Sequence, residues 1–137
     1  MRLEPYMCYY GKCDEALEFY KAALGGSYEV NRFGDSPAGA GVDESWKNKV
    51  LHSTFTGDGF KFMASDGHPG TAPTPKGETE ISLSLGINAV SDAERIFNAL
   101  AVGGWIVMPF GDVTWGGKFG MVNDKYGVSW MVTAAHG

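Results

Sequence analysis

The run Cys13-Asp14-Glu15-Ala16-Leu17-Glu18-Phe19-Tyr20-Lys21-Ala22-Ala23-Leu24, closed by Gly25-Gly26, decides the fold because a second run repeats its pattern. In the first run Ala16, Leu17, Phe19, Tyr20, Ala23 and Leu24 form one helical stripe. In the second, Ser91 to Val102, the residues Ala93, Ile96, Phe97 and Leu100 fall at i, i+3, i+4 and i+7, and Gly103-Gly104 ends it. Ser91 with Glu94 reads as a capping box, in which each side chain satisfies an orphan amide of the first turn. Glycine suits both ends because it adopts the left-handed conformation at little cost. The spacing of 78 residues that relates the glycine pairs also relates Phe19 to Phe97 and Ala23 to Ala101. The chain therefore carries an internal repeat.

Working outward, strand-like runs repeat as well. Leu3 to Tyr10 precedes the first helix and Glu80 to Ile87 the second. Tyr28 to Arg32, Val50 to Thr56 and Phe60 to Ser65 follow in the first half, and Trp105 to Met108, Phe119 to Val122 and Val128 to Thr133 in the second. Each half reads β-α-β-β-β, so the fold class is α+β. The expected organisation is one domain over residues 1–137: a first module of about 1–66, a Pro/Gly-rich linker over 67–79 and a second module of about 80–137. Strand alternation sorts the faces. Ile81, Leu83 and Leu85, then Phe60, Phe62 and Ala64, then Val128, Trp130 and Val132 belong under the helices. Glu80, Ser82, Ser84, Lys61, Met63, Ser65, Ser129, Met131 and Thr133 face the other way, and His52, Thr54 and Thr56 oppose Leu51, Ser53 and Phe55. This second face, polar and dotted with methionine, suits either a cavity wall or a solvated sheet face.

With 137 residues, 44% apolar and 20% charged, the composition is that of a globular domain that needs no disulfide or metal to fold. A net charge of −5 argues against nucleic-acid binding, and no apolar run approaches the ~20 residues of a membrane span. Met1-Arg2-Leu3-Glu4-Pro5 lacks the apolar core of a signal peptide, and Cys8 and Cys13 do not form a CxxC pair, so a reduced, cytoplasmic setting is expected. Cys8 reads as a buried strand residue. Cys13 reads as a helix-start residue, where a thiol is open to acidification. Gly111 to Lys118 lacks the Ser/Thr of a phosphate loop, and no GxGxxG opens either helix, so a Rossmann nucleotide or S-adenosylmethionine fold is not indicated.

The chain resembles the vicinal-oxygen-chelate superfamily of glyoxalases, bleomycin-resistance proteins and dioxygenases, and within it the PhnB-like branch. The resemblance rests on Gly11-Lys12-Cys13-Asp14-Glu15-Ala16-Leu17-Glu18-Phe19-Tyr20, Val50-Leu51-His52, Met63-Ala64-Ser65-Asp66 and Ile81-Ser82-Leu83-Ser84-Leu85. It continues through Phe97-Asn98-Ala99-Leu100, Gly103-Gly104, Met108-Pro109, Trp115-Gly116-Gly117-Lys118-Phe119-Gly120 and Asp124-Lys125-Tyr126-Gly127-Val128-Ser129-Trp130. It implies two βαβββ modules whose strands form a glyoxalase-like, partly closed eight-stranded sheet around a cavity, in a homodimer. In metal-dependent members the first and last strand of each module carry the ligands. Those positions fall here on Pro5, Met63, Glu80 and Met131, a set that leaves one carboxylate and no ordinary divalent site. No metal and no cofactor are therefore expected.

Glu80, on a cavity wall, would have its pKa raised above the usual ~4.3 and become a general base or cation-binding group; the plain alternative is a strand-start glutamate. His52 suits an acid/base or hydrogen-bonding role, or a structural one. Met7, Met63, Asp66, Ser82, Trp115, Met121 and Met131 are the candidate ligand-binding residues. Asp66 also fits plain turn chemistry, and Trp115 fits either capping of a cavity or packing against a dimer partner. The methionines fit a soft pocket wall or ordinary gap-filling. The expected function is binding of a small organic ligand without the usual metal. The alternative is an enzyme of the superfamily using Glu80 and His52, metal-free or with a rearranged set such as His52, Glu80 and Asp66.

Overall fold

The computed structural model describes residues 1–37, 41–70, 81–114 and 116–134. The chain divides into two compact units, Met1–Thr74 and Pro75–Gly137. The first unit holds β1 (Tyr6–Cys8), α1 (Cys13–Leu24), β2 (Ser27–Arg32), β3 (Val50–Gly57) and β4 (Phe60–Ser65). The second holds β5 (Leu83–Ile87), α2 (Val90–Ala101), β6 (Trp105–Asp112), β7 (Lys118–Asn123) and β8 (Ser129–Ala134). Their sheets have the orders β1-β4-β3-β2 and β5-β8-β7-β6, the same arrangement twice. In each, the first strand pairs parallel to the last and the other pairings are antiparallel. Among the described residues the eight strands thus form two four-stranded sheets, not one eight-stranded sheet. Among the described residues no helix is long and apolar enough to cross a membrane.

In the first unit α1 buries Cys13, Ala16, Leu17, Tyr20 and Ala23 against Val50, Phe55, Phe62 and Ala64. Phe55 and Phe62 stack at 4.8 Å, and Tyr20 meets the edge of Phe62 at 5.8 Å. In the second unit the stripe Ala93, Ile96, Phe97 and Leu100 packs over Val122, Trp130, Val132 and Ala134. Ile81, expected on the helix side, lies before β5 and is exposed, because the strand begins only at Leu83. Cys8, expected buried, is half-buried, while Cys13 is fully buried.

The repeated glycine pairs are needed for close approach. A Cβ on Gly26 would run into the Thr56 carbonyl oxygen, and one on Gly104 into that of Asn123. These are the points where β2 meets β3 and β6 meets β7. The expected capping box does not form. α2 begins one residue earlier, at Val90 behind Ala89, with no side-chain cap bond, so Ser91 already lies within the first turn.

Register irregularities mark two strands. β2 and β3 shift between Asn31 and Arg32, so that Arg32 pairs with Val50 and Leu51 is passed over. That bulge lets Val50 and Ser53 both lie buried, against strict alternation. β6 shifts twice between Ile106 and Gly111, which carries the strand past Pro109 to Asp112, beyond the expected end at Met108.

Asp66 ties the first unit together. Its Oδ1 accepts from the amides of Gly11 and Cys13 and its Oδ2 from that of Val50, all at 2.8 Å, while its own amide donates to the Val50 carbonyl. The carboxylate caps α1 from outside and complements the positive end of the helix dipole. In the second unit Asp124, also fully buried, accepts from the Tyr126 and Val128 amides and from the Trp130 indole at 2.8 Å.

Asp66→Asn is expected to destabilise the protein by about 2–4 kcal/mol, because the amide nitrogen would face a buried backbone donor and the charge-assisted bonds would be lost. Urea denaturation of both proteins with unchanged m-values checks this. Burial, reinforced by the Asp66 carboxylate, pushes the Cys13 thiol up to about 12 rather than acidifying it. Iodoacetamide at pH 8 should therefore label Cys8 in the native protein and reach Cys13 only after unfolding, as read by peptide mass mapping.

Candidate functional site

The helix-free face of the first sheet is set by its register. One cross-strand row runs Tyr6, Met63, Thr54, Glu29. The next bearing row places His52 opposite Asn31. Tyr6 leans across β4 so that its hydroxyl lies 3.1 Å from His52 Nδ1, with the rings tilted and 5.6 Å apart. Tyr6 is 52% exposed and His52 half-buried. Among the described residues His52 Nε2 has no protein partner. Farther along this face Lys61 lies 3.7 Å from the Glu4 carboxylate.

Sequence reasoning missed Tyr6. The strand-parity rule that selected Met63 extends to Tyr6 once the parallel pairing of β1 with β4 is known, and that pairing is not visible in the sequence.

The structure separates several of the expected site residues. Met7 pairs with Ala64, which pairs with Ser53, so Met7 sits on the side of the buried core, where it accepts a hydrogen bond from Tyr9 at 3.4 Å. It therefore does not line the Tyr6–His52 face, since adjacent strand residues point to opposite faces. Asp66 does not line that face either. Its side chain is fully buried and both oxygens are committed to backbone amides, so it has no capacity left for a ligand or a metal. The rearranged set of His52, Glu80 and Asp66 falls with it.

In the second unit Ser82, just before β5, shares a 2.7 Å hydrogen bond with Ser129 of β8. Met131 pairs with Met121 and with Ser84, and Met121 pairs with Met108, so three thioether residues occupy one cross-strand row. Met121 and Met131 thus share one face, with Met108 added by the register. Glu80 and Trp115 lie outside the described residues.

The positions that the resemblance assigns to metal ligands offer little to a divalent ion. Pro5 contributes only its backbone carbonyl, which accepts from the Met63 amide, and Met63 and Met131 offer thioethers. No three His, Cys, Asp or Glu side chains come together among the described residues. These residues do not fit a hard or borderline divalent ion.

The sequence profile of the 3-demethylubiquinone-9 3-methyltransferase family matches residues 1–133. Among solved structures, protein PA1353 from Pseudomonas aeruginosa is 39% identical, with a TM-score of 0.85 over 100% of this chain and 99% of that one. The PhnB protein from Bacillus cereus is 29% identical, with a TM-score of 0.79 over 98% and 100% of the two chains. A glyoxalase/bleomycin resistance protein/dioxygenase from Nocardioides, 16% identical, shares the fold with a TM-score of 0.59 over 99% and 85%.

A methyltransferase needs a cradle for its nucleoside-bearing methyl donor, S-adenosylmethionine, of the kind glycine-rich turns and free helix-start amides provide. Here the Gly11 and Cys13 amides at the start of α1 are consumed by Asp66, and each helix packs on a mixed four-stranded sheet. The start of α1 therefore does not fit that donor. The duplicated βαβββ topology and the match over almost its entire length make this chain a PhnB-like member of the 3-demethylubiquinone-9 3-methyltransferase family, built on the glyoxalase/bleomycin-resistance fold.

Proposed function

We propose that this protein binds a small organic molecule on the helix-free face of its first sheet, without a resident divalent metal. The observation that carries the reading is the Tyr6–His52 hydrogen bond, which orients an imidazole whose Nε2 has no protein partner among the described residues. Met63 and Thr54 beside it supply an adaptable apolar contact and a hydroxyl. A few oriented polar groups set among softer contacts are what a small-molecule site requires. Homodimer formation and a cytoplasmic setting belong to the same proposal.

Metal independence rests on the chemistry of Pro5, Met63 and Met131. Dialysis against Ni, Zn, Mn and Fe, followed by elemental analysis, is expected to leave less than stoichiometric metal. One bound ion per chain, with a raised Tm, would overturn that part.

Ligand binding is tested by thermal shift against a library of small carbonyl and carboxylate compounds. A ligand present at about 100 times its Kd stabilises by about 2.7 kcal/mol, which raises Tm by several degrees in a domain of this size. His52→Ala should weaken a genuine ligand by about tenfold or less, the worth of one hydrogen bond. No stabilising compound, or shifts that ignore His52, would sink the reading.

A further inference from the structure

Resting on the reading of this face as a ligand site, we infer that Tyr6 holds His52 in the tautomer protonated at Nε2. His52 then presents a hydrogen-bond donor, and its ligand must bring an oxygen acceptor, a carboxylate or a carbonyl. Tyr6 is a positioning residue in this arrangement.

A neutral imidazole has one N–H and one lone pair, and the hydrogen bond made by one nitrogen decides what the other offers. The Tyr6 hydroxyl lies 3.1 Å from Nδ1, so either the phenol donates to a bare Nδ1 or an Nδ1–H donates to the phenol oxygen. The first is the stronger bond. A phenol, with its pKa of ~10, is a good donor, and a bare imidazole nitrogen, whose conjugate acid has a pKa of ~6.5, is a good acceptor. A phenol oxygen shares its lone pairs with the ring and accepts poorly. The Tyr6 hydroxyl has no other partner among the described residues that would draw its proton away.

With the phenol donating, the ring proton resides on Nε2. If the ring becomes charged, Nε2 keeps its proton, so the outward nitrogen is a donor in either charge state. His52 therefore does not serve as a base through Nε2 while the Tyr6 bond holds. Its chemistry is to hold an oxygen acceptor, or to polarise it. Met63, paired with Tyr6 on the intervening strand, lies beside the pair and favours the apolar part of such a ligand over bulk water.

The ring state is read directly from two-bond proton–nitrogen correlations of the 15N-labelled protein at pH 8. The His52 signals are identified by their loss in His52→Gln, the other histidines being His68 and His136. A single Nε2–H form in the wild type, changing to a mixture of tautomers in Tyr6→Phe, is the expected result. An Nδ1–H form in the wild type, or the same tautomer in Tyr6→Phe, overturns the inference. Tyr6 is half exposed, so its phenylalanine variant should keep the fold, and a merely structural role for the hydroxyl would leave the tautomer unmoved.

The ligand class is tested by titrating the same sample with acetate, acetone and tert-butylammonium. Saturable movement of the His52 Nε2–H resonance with acetate assigns a carboxylate, and with acetone a neutral carbonyl. Movement with tert-butylammonium alone, or with none of the three, overturns the acceptor assignment. Failure of the small-molecule reading appears separately, as a compound library that stabilises nothing while the ring still shows the Nε2–H form.

Discussion

One buried carboxylate sets the frame of the first unit. Asp66 closes the end of β4 onto the start of α1 and the start of β3 by accepting three amides, and its own amide completes the link to Val50. A buried anion is costly unless every lone pair finds a donor, and here the donors are backbone groups that would otherwise be orphans of a helix start and a strand start. The arrangement fixes α1 over the sheet and so decides which sheet face is core and which is open. It also takes the Gly11 and Cys13 amides at the start of α1, so they are not free to attract an anion.

The two units share strand order and a repeated pairing, Tyr6 with Met63 and Ser84 with Met131, yet their open faces differ in chemistry. The first carries tyrosine, histidine and threonine around a single methionine. The second carries Met108, Met121 and Met131 in one row. Packing under a helix requires apolar residues in both copies, whereas an open face has no such requirement and is free to specialise.

Much of this was legible in the sequence. The helical stripes, the glycine pairs and the alternation in Lys61 to Ala64 and in Ser129 to Thr133 are local signals, and local burial reproduces them, while Ser65, expected on the open face, is buried. Other expectations failed for identifiable reasons. Met7 lay on the wrong face because the parity of a three-residue strand is fixed by its partner β4. Asp66 resembled a turn residue because the amides it serves are up to 55 residues away. The Ser91 cap failed because α2 starts one residue earlier than propensity suggests.

The sequence by itself determined a duplicated βαβββ chain with helices on one face of each sheet, because hydrophobic periodicity and glycine stops are properties of neighbouring residues. It also determined the family, through motifs spread along nearly the whole length. Only the tertiary structure decided that Tyr6 and His52 meet, that Asp66 is structural and that three methionines align. Each of these depends on strand register and on bulges, which bring together residues separated by tens of positions and leave no local trace.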